Sequence, residues 1–126
     1  MLVVYASRQG KTEALVNALG YESTLKIVDG SEQVSEPFVL VTYSDKVGEI
    51  PEMVEKFLQK NQEYLKAVVA TGSIERHYET YGYAGVKISQ EYHVPILAII
   101  NGSGSNADET KIKEMISALE AKLNQL

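Results

Sequence analysis

None of the 126 residues is a cysteine, which excludes a disulfide, a thiolate-held metal and a cysteine nucleophile. Histidine is nearly as scarce. His77 and His93 stand without cysteine or a carboxylate at ligand spacing, so no metal site is expected. No stretch approaches the roughly 20 apolar residues of a membrane span, and "MLVVYASRQG" lacks the cationic lead and long apolar core of a signal peptide. Positive charge is in deficit, with 12 Lys and Arg against 17 Asp and Glu, a net of -5. That balance argues against a general nucleic-acid binder, which would be basic. It leaves room for a small anion, because local loop dipoles can oppose the overall charge. The expectation is a cytoplasmic protein with no nucleic-acid and no membrane partner. With 44% hydrophobic residues and only three prolines, residues 1–126 suit one globular domain with a sizeable core.

Strand-like runs occur at "LVVYA", "TLKIV", "FVLVTY", "KAVVAT" and "PILAII". Four are nearly continuous apolar runs, as expected of strands covered on both faces. Helix-like patterns separate them. Residues 51–62 set Val54, Phe57 and Leu58 on one face, with Pro51 suited to a first helical turn. Residues 108–124 align Ile112, Met115, Ile116, Leu119 and Leu123, and a weaker pattern holds Ala84, Ile88 and Tyr92. Gly20 is placed to stop the first helix. This alternation predicts an α/β fold, a five-stranded parallel sheet with helices on both faces. "DGSEQVSEP", between the second and third strands, is short for a parallel crossover. The second helix is therefore expected to be missing or vestigial.

Between the first strand and first helix lies "SRQGKT", the position where a loop presents amides to a phosphate. A nucleotide P-loop needs glycine five positions before Gly10, where this chain has Tyr5. "NGSGSNA" fits a dinucleotide fingerprint only superficially, since no further strand with an acidic residue follows it; a plain strand-to-helix turn is expected. A phospho-acceptor receiver domain would need acidic residues where Ala6 and Ser7 stand, and a lysine in place of Asn101. A monophosphate loop remains, with the Ser7 and Thr12 hydroxyls and the amides from Gln9 through Thr12 around the phosphate. The competing expectation is a capped turn in which Ser7 or Thr12 satisfies helix donors. Ligands of open parallel sheets bind beyond the carboxyl ends of the strands. There "TYSDKVGEIP" and "TGSIERHYETYG" bring Tyr43, Tyr78 and Tyr81, which could cover a flat ring. Tyrosines packed at the sheet edge are the alternative. Asp45 and Glu75 are expected to be solvated loop carboxylates, and His93 to be structural.

The stretches "VVYASRQGKTE", "PFVLVTYSDKVGEIP", "VVATGS" and "SQEYHVPIL" resemble the NrdI family, small flavodoxin-like proteins that serve class Ib ribonucleotide reductase. The resemblance covers most of the chain in order. It implies a flavodoxin-like fold and one FMN, with Ser7, Arg8, Gln9, Gly10, Lys11 and Thr12 at its phosphate. Thr42, Tyr43, Ser44 and the turn through Gly48 would border the ring on one side. Thr71, Gly72, Ser73 and the following loop, including Tyr78, would border it on the other. The implied partner is the small subunit of class Ib ribonucleotide reductase, with a flavodoxin or flavin reductase as electron donor. Reduced flavin would convert oxygen to superoxide for that subunit's dimanganese-tyrosyl radical cofactor. No side chain would be catalytic, because the cofactor carries the chemistry; the chain would be a redox activator rather than a stand-alone enzyme. It departs from the family at Gln9 and Lys11, in the loop from Gly72 to Tyr78, and at Ile100-Asn101. Two other functions fit the same residues, a general flavodoxin-type electron shuttle and a flavin-free binding module that kept the fold.

Overall fold

The computed structural model describes residues 1–45, 48–73 and 82–125. Five strands, β1 (Leu2–Tyr5), β2 (Thr24–Lys26), β3 (Phe38–Tyr43), β4 (Leu65–Gly72) and β5 (Ile96–Asn101), form one sheet in the order β2-β1-β3-β4-β5. Every neighbouring pair is parallel. The helices are α1 (Lys11–Leu19), α2 (Glu52–Asn61), α3 (Tyr83–Tyr92) and α4 (Asn106–Asn124).

Side chains alternate across a strand, so an apolar run feeds both faces of the sheet. Val3, Val39, Val41 and Val69 pack with Leu15, Val16 and Leu19 of α1 and Ile112 and Ile116 of α4. Val4, Phe38, Leu40 and Val68 pack on the opposite side with Val54, Phe57 and Leu58 of α2 and Ile88 of α3. This is the expected parallel α/β sheet with helices on both faces.

β2 ends two residues before the apolar run "TLKIV" does. Ile27 still donates its amide to the Tyr5 carbonyl at 2.8 Å, but the Val28 amide turns to the Glu32 carboxylate at 2.8 Å and leaves Val28 72% exposed. α2 starts at Glu52, with Pro51 in extended geometry as its cap rather than inside its first turn. A single 3-10 turn, Gln62–Tyr64, follows it. α4 begins earlier than its apolar periodicity, because Ser105 and Asp108 form a reciprocal capping box. Gly20 ends α1 in the left-handed conformation, as expected.

No helix forms between β2 and β3. Besides a local turn in which Asp29 accepts the Ser31 amide and hydroxyl, the link is held by Glu32 and Asn61. Glu32 accepts the amides of Val28, Asp29 and Gly30 at 2.8, 3.2 and 3.0 Å. Asn61, 2% exposed at the end of α2, donates to the Glu32 and Phe57 carbonyls and accepts the Val34 amide, all within 3.0 Å. The link thus lies flat against α2 without a helix of its own.

Candidate functional site

The order β2-β1-β3 reverses the chain's direction of travel at β1. From β1 the chain passes to α1 on one face, and from β3 to α2 on the other. The two loops part at the carboxyl ends of the strands and leave a crevice there, where open α/β sheets take their ligands.

The loop after β1 is shaped by Ser7. Its Oγ accepts the Gly10 amide at 3.1 Å and the Glu13 amide at 3.3 Å, so Ser7 caps α1 as the capped-turn alternative expected. Gly10 has φ 91°, a conformation that favours glycine. With Ser7 so engaged, the amides of Gln9, Lys11 and Thr12 have no acceptor among the described residues. They stand at the positive end of α1, in the loop whose sequence also carries Arg8 and Lys11. This donor set fits a phosphate monoester.

Thr12 is buried and points inward. Its Oγ1 lies 2.8 Å from Thr71 Oγ1, and the Thr71 hydroxyl also reaches the Thr42 carbonyl at 3.4 Å. Thr42, fully buried, donates its own hydroxyl to the Tyr43 carbonyl at 3.0 Å. Through the Thr71 hydroxyl these bonds join α1, β3 and β4 to one another, so the Thr12 and Thr71 hydroxyls are engaged inside the protein.

Arg8 crosses the crevice. Its guanidinium donates to Asp45 Oδ1 at 2.7 Å and lies 5.2 Å from the centre of the Tyr43 ring. Asp45 is therefore ion-paired rather than merely solvated, contrary to expectation, because the loop after β3 brings it opposite Arg8. That loop is closed by paired backbone bonds between Asp45 and Glu49 at 2.7 and 2.8 Å, with Gly48 at φ 75°. Tyr43 is half-buried. Burial lifts its phenol above the usual range, the Asp45 charge adds to this, and Arg8 opposes it. Tyr43 and Asp45 also wall a pocket of about 370 Å³ together with Asp29 and with Pro51, Met53 and Lys56 at the start of α2.

Ser44 Oγ accepts the Ala84 amide at 3.0 Å, tying the end of β3 to the first turn of α3. Gly72 closes β4 and accepts the Gly102 amide at 2.7 Å, with Ser73 next to it. Tyr78 and Tyr81, together with Glu75 and His77, lie outside the described residues. Gly102 and Gly104 form a left-handed turn into α4, the plain connection expected of "NGSGSNA". His93 caps α3 at φ 56°.

A reversing parallel sheet with an amide-lined loop at its switch point defines a flavodoxin-like protein. A short-chain flavodoxin associated with a non-canonical PDU bacterial microcompartment has a similar fold, with TM-score 0.66 over 96% of each chain and 14% identity. The family model described as NrdI flavodoxin-like matches residues 3–114, and the chain belongs to that family, whose members typically bind flavin. Among the described residues, no helix is long and apolar enough to cross a membrane.

Proposed function

We propose that the chain binds one FMN and, with the flavin reduced, supplies superoxide to the small subunit of a class Ib ribonucleotide reductase. The observation that carries this reading is the trio of amides at Gln9, Lys11 and Thr12, without an acceptor among the described residues, in a loop that carries Arg8 and Lys11 at the sheet's reversal point. Those amides and the two cations hold the phosphate, and Ser7 and Gly10 keep the loop in shape for it. Thr42, Tyr43 and Ser44, at the end of β3, and Gly48 would border the ring on one side, with Tyr43 as the aromatic contact. Gly72 and Ser73, at the end of β4, would border it on the other. Bound flavin supplies the electron transfer to oxygen; the chain binds it, orients it and limits its contact with water.

The first test titrates the protein with FMN and with riboflavin. FMN should bind and riboflavin, which lacks the phosphate, should bind far more weakly. A protein that leaves FMN fluorescence unchanged would be a flavin-free module. The second test measures radical yield by electron paramagnetic resonance in a manganese-loaded class Ib small subunit given oxygen and reductant. The yield should require this protein and should fall when superoxide dismutase is added. Equal yield in its absence would leave the electron-shuttle function instead.

A further inference from the structure

Arg8, in the phosphate loop, reaches across the crevice. One side chain joins the loop after β1 to the loop after β3, through Asp45 at 2.7 Å and the Tyr43 ring at 5.2 Å. The loop it grips is built to hold Asp45 in place, since Asp45 and Glu49 exchange both backbone hydrogen bonds. The Arg8 and Asp45 side chains remain 54% and 33% exposed, so the pair is open to competition from an incoming anion.

We propose that Arg8, Asp45 and Tyr43 form a latch across the crevice, released when a phosphate group draws Arg8 away and so frees Tyr43 for an aromatic ring. The inference rests on the flavin reading above and deepens it, because it makes the phosphate a condition for seating the ring as well as an anchor.

Charge sets the direction. A phosphate dianion at the amides of Gln9, Lys11 and Thr12 carries more charge than the Asp45 carboxylate and offers the guanidinium a two-pronged acceptor. Asp45 meanwhile repels that dianion. Movement of Arg8 to the phosphate removes the cation from the Tyr43 face and ends the tether between the two loops. A ring without a phosphate has nothing with which to draw Arg8 away. An exposed ion pair of this kind changes an equilibrium by about two- to fivefold, enough to tune selectivity without closing the site.

The alternative is a fixed clamp, in which Asp45 positions Arg8 so that it binds phosphate without moving. The two predict opposite signs for Asp45→Asn. The experiment titrates inorganic phosphate into the full chain and follows the Arg8 Nε–H and Tyr43 ring resonances by NMR, the latter assigned with Tyr43→Phe. With the latch, phosphate shifts both signals together and Asp45→Asn binds phosphate about two- to fivefold more tightly. Arg8→Gln binds it more weakly, and its Tyr43 signal stays still. Riboflavin should bind Arg8→Gln severalfold more tightly than the wild-type protein, while FMN loses affinity. Weaker phosphate binding by Asp45→Asn, or a Tyr43 signal indifferent to phosphate in the wild-type protein, overturns the latch. If the phosphate results hold while no variant binds either flavin, the FMN reading fails and the latch stands as a gate for another phosphorylated aromatic.

Discussion

Thr12 Oγ1 and Thr71 Oγ1 lie 2.8 Å apart with both residues almost fully buried, so the first turn of α1 is pinned to the carboxyl end of β4 by a hydroxyl pair. The pair has unequal members. Thr71 also reaches the Thr42 carbonyl at 3.4 Å, whereas Thr12 has no second side-chain partner among the described residues.

Thr71→Val keeps the shape but leaves the Thr12 hydroxyl buried without a partner, at a cost of about 1–3 kcal/mol. Thr12→Val should cost less, because Thr71 retains the Thr42 carbonyl. The double variant should be no less stable than Thr71→Val alone, since two apolar groups leave no orphaned hydroxyl. Urea unfolding of the three variants checks the order. Strictly additive losses would mean that the two hydroxyls do not depend on each other.

Asn61 closes the link that replaces a helix. Asn61→Leu fills the volume but strips partners from the Val34 amide and from the Glu32 and Phe57 carbonyls. The expected loss is about 2–4 kcal/mol, with faster hydrogen exchange at Val34. A stable variant with unchanged exchange at Val34 would show that the link holds itself.

The sequence made the sheet legible because β1, β3 and β4 are covered on both faces, so their apolar runs are nearly unbroken, and because β5 keeps such a run at the sheet edge although Ile99 is 40% exposed. It overestimated β2, where the end of the strand depends on a carboxylate four residues away capturing the Val28 amide. Asn61 left a signal that periodicity alone passes over. It falls on the same stripe as Val54, Phe57 and Leu58, and a polar residue at a core position needs partners. The phosphate loop was legible in outline, but the inward turn of Thr12 was not, since its partner Thr71 is 59 residues on. Arg8 and Asp45 are likewise 37 residues apart. Their pairing follows from β1 and β3 being neighbours in the sheet, which no local pattern states.

Glu32 makes the same link sensitive to acid. Burial alone would raise its carboxyl, but the backbone amides of Val28, of Glu32 itself, and of Asp29 and Gly30 outweigh it and hold the group below the usual range. A carboxylate depressed in the fold contributes stability that is present above the unfolded value and lost as pH falls through the folded one. Glu32→Gln should cost on the order of 1 kcal/mol at pH 7, and the difference should vanish at low pH, where the wild-type carboxyl is protonated as well. Urea midpoints at pH 7 and pH 3 test this. A difference that persists undiminished at pH 3 would assign the loss to packing rather than charge.

Glu55 and Tyr92 give the opposite sign where α2 meets α3. The Tyr92 hydroxyl donates to Glu55 Oε1 at 3.4 Å. Burial lifts the Glu55 carboxyl and the Glu91 charge lifts it further, while the Tyr92 bond opposes them without prevailing. A carboxyl raised in the fold carries no penalty below its unfolded value, because both states are then protonated. The penalty appears as pH rises through the folded value, so stability is lost in that direction. Glu55→Gln keeps an acceptor for Tyr92 and removes the charge. It should match the wild-type protein at pH 3 and exceed it at pH 7 by a few tenths of a kcal/mol, because the group is exposed enough for solvent to screen it. Burial, then the charges of Glu55 and Glu91, also push the Tyr92 phenol up to about 12. The unfolded tyrosine ionises near its usual value of 10, so stability should decline between pH 10 and 12, less steeply in Glu55→Gln. Urea midpoints across both windows decide the matter; a wild-type protein more stable than Glu55→Gln at pH 7 would mean that the Tyr92 bond outweighs burial and the Glu91 charge.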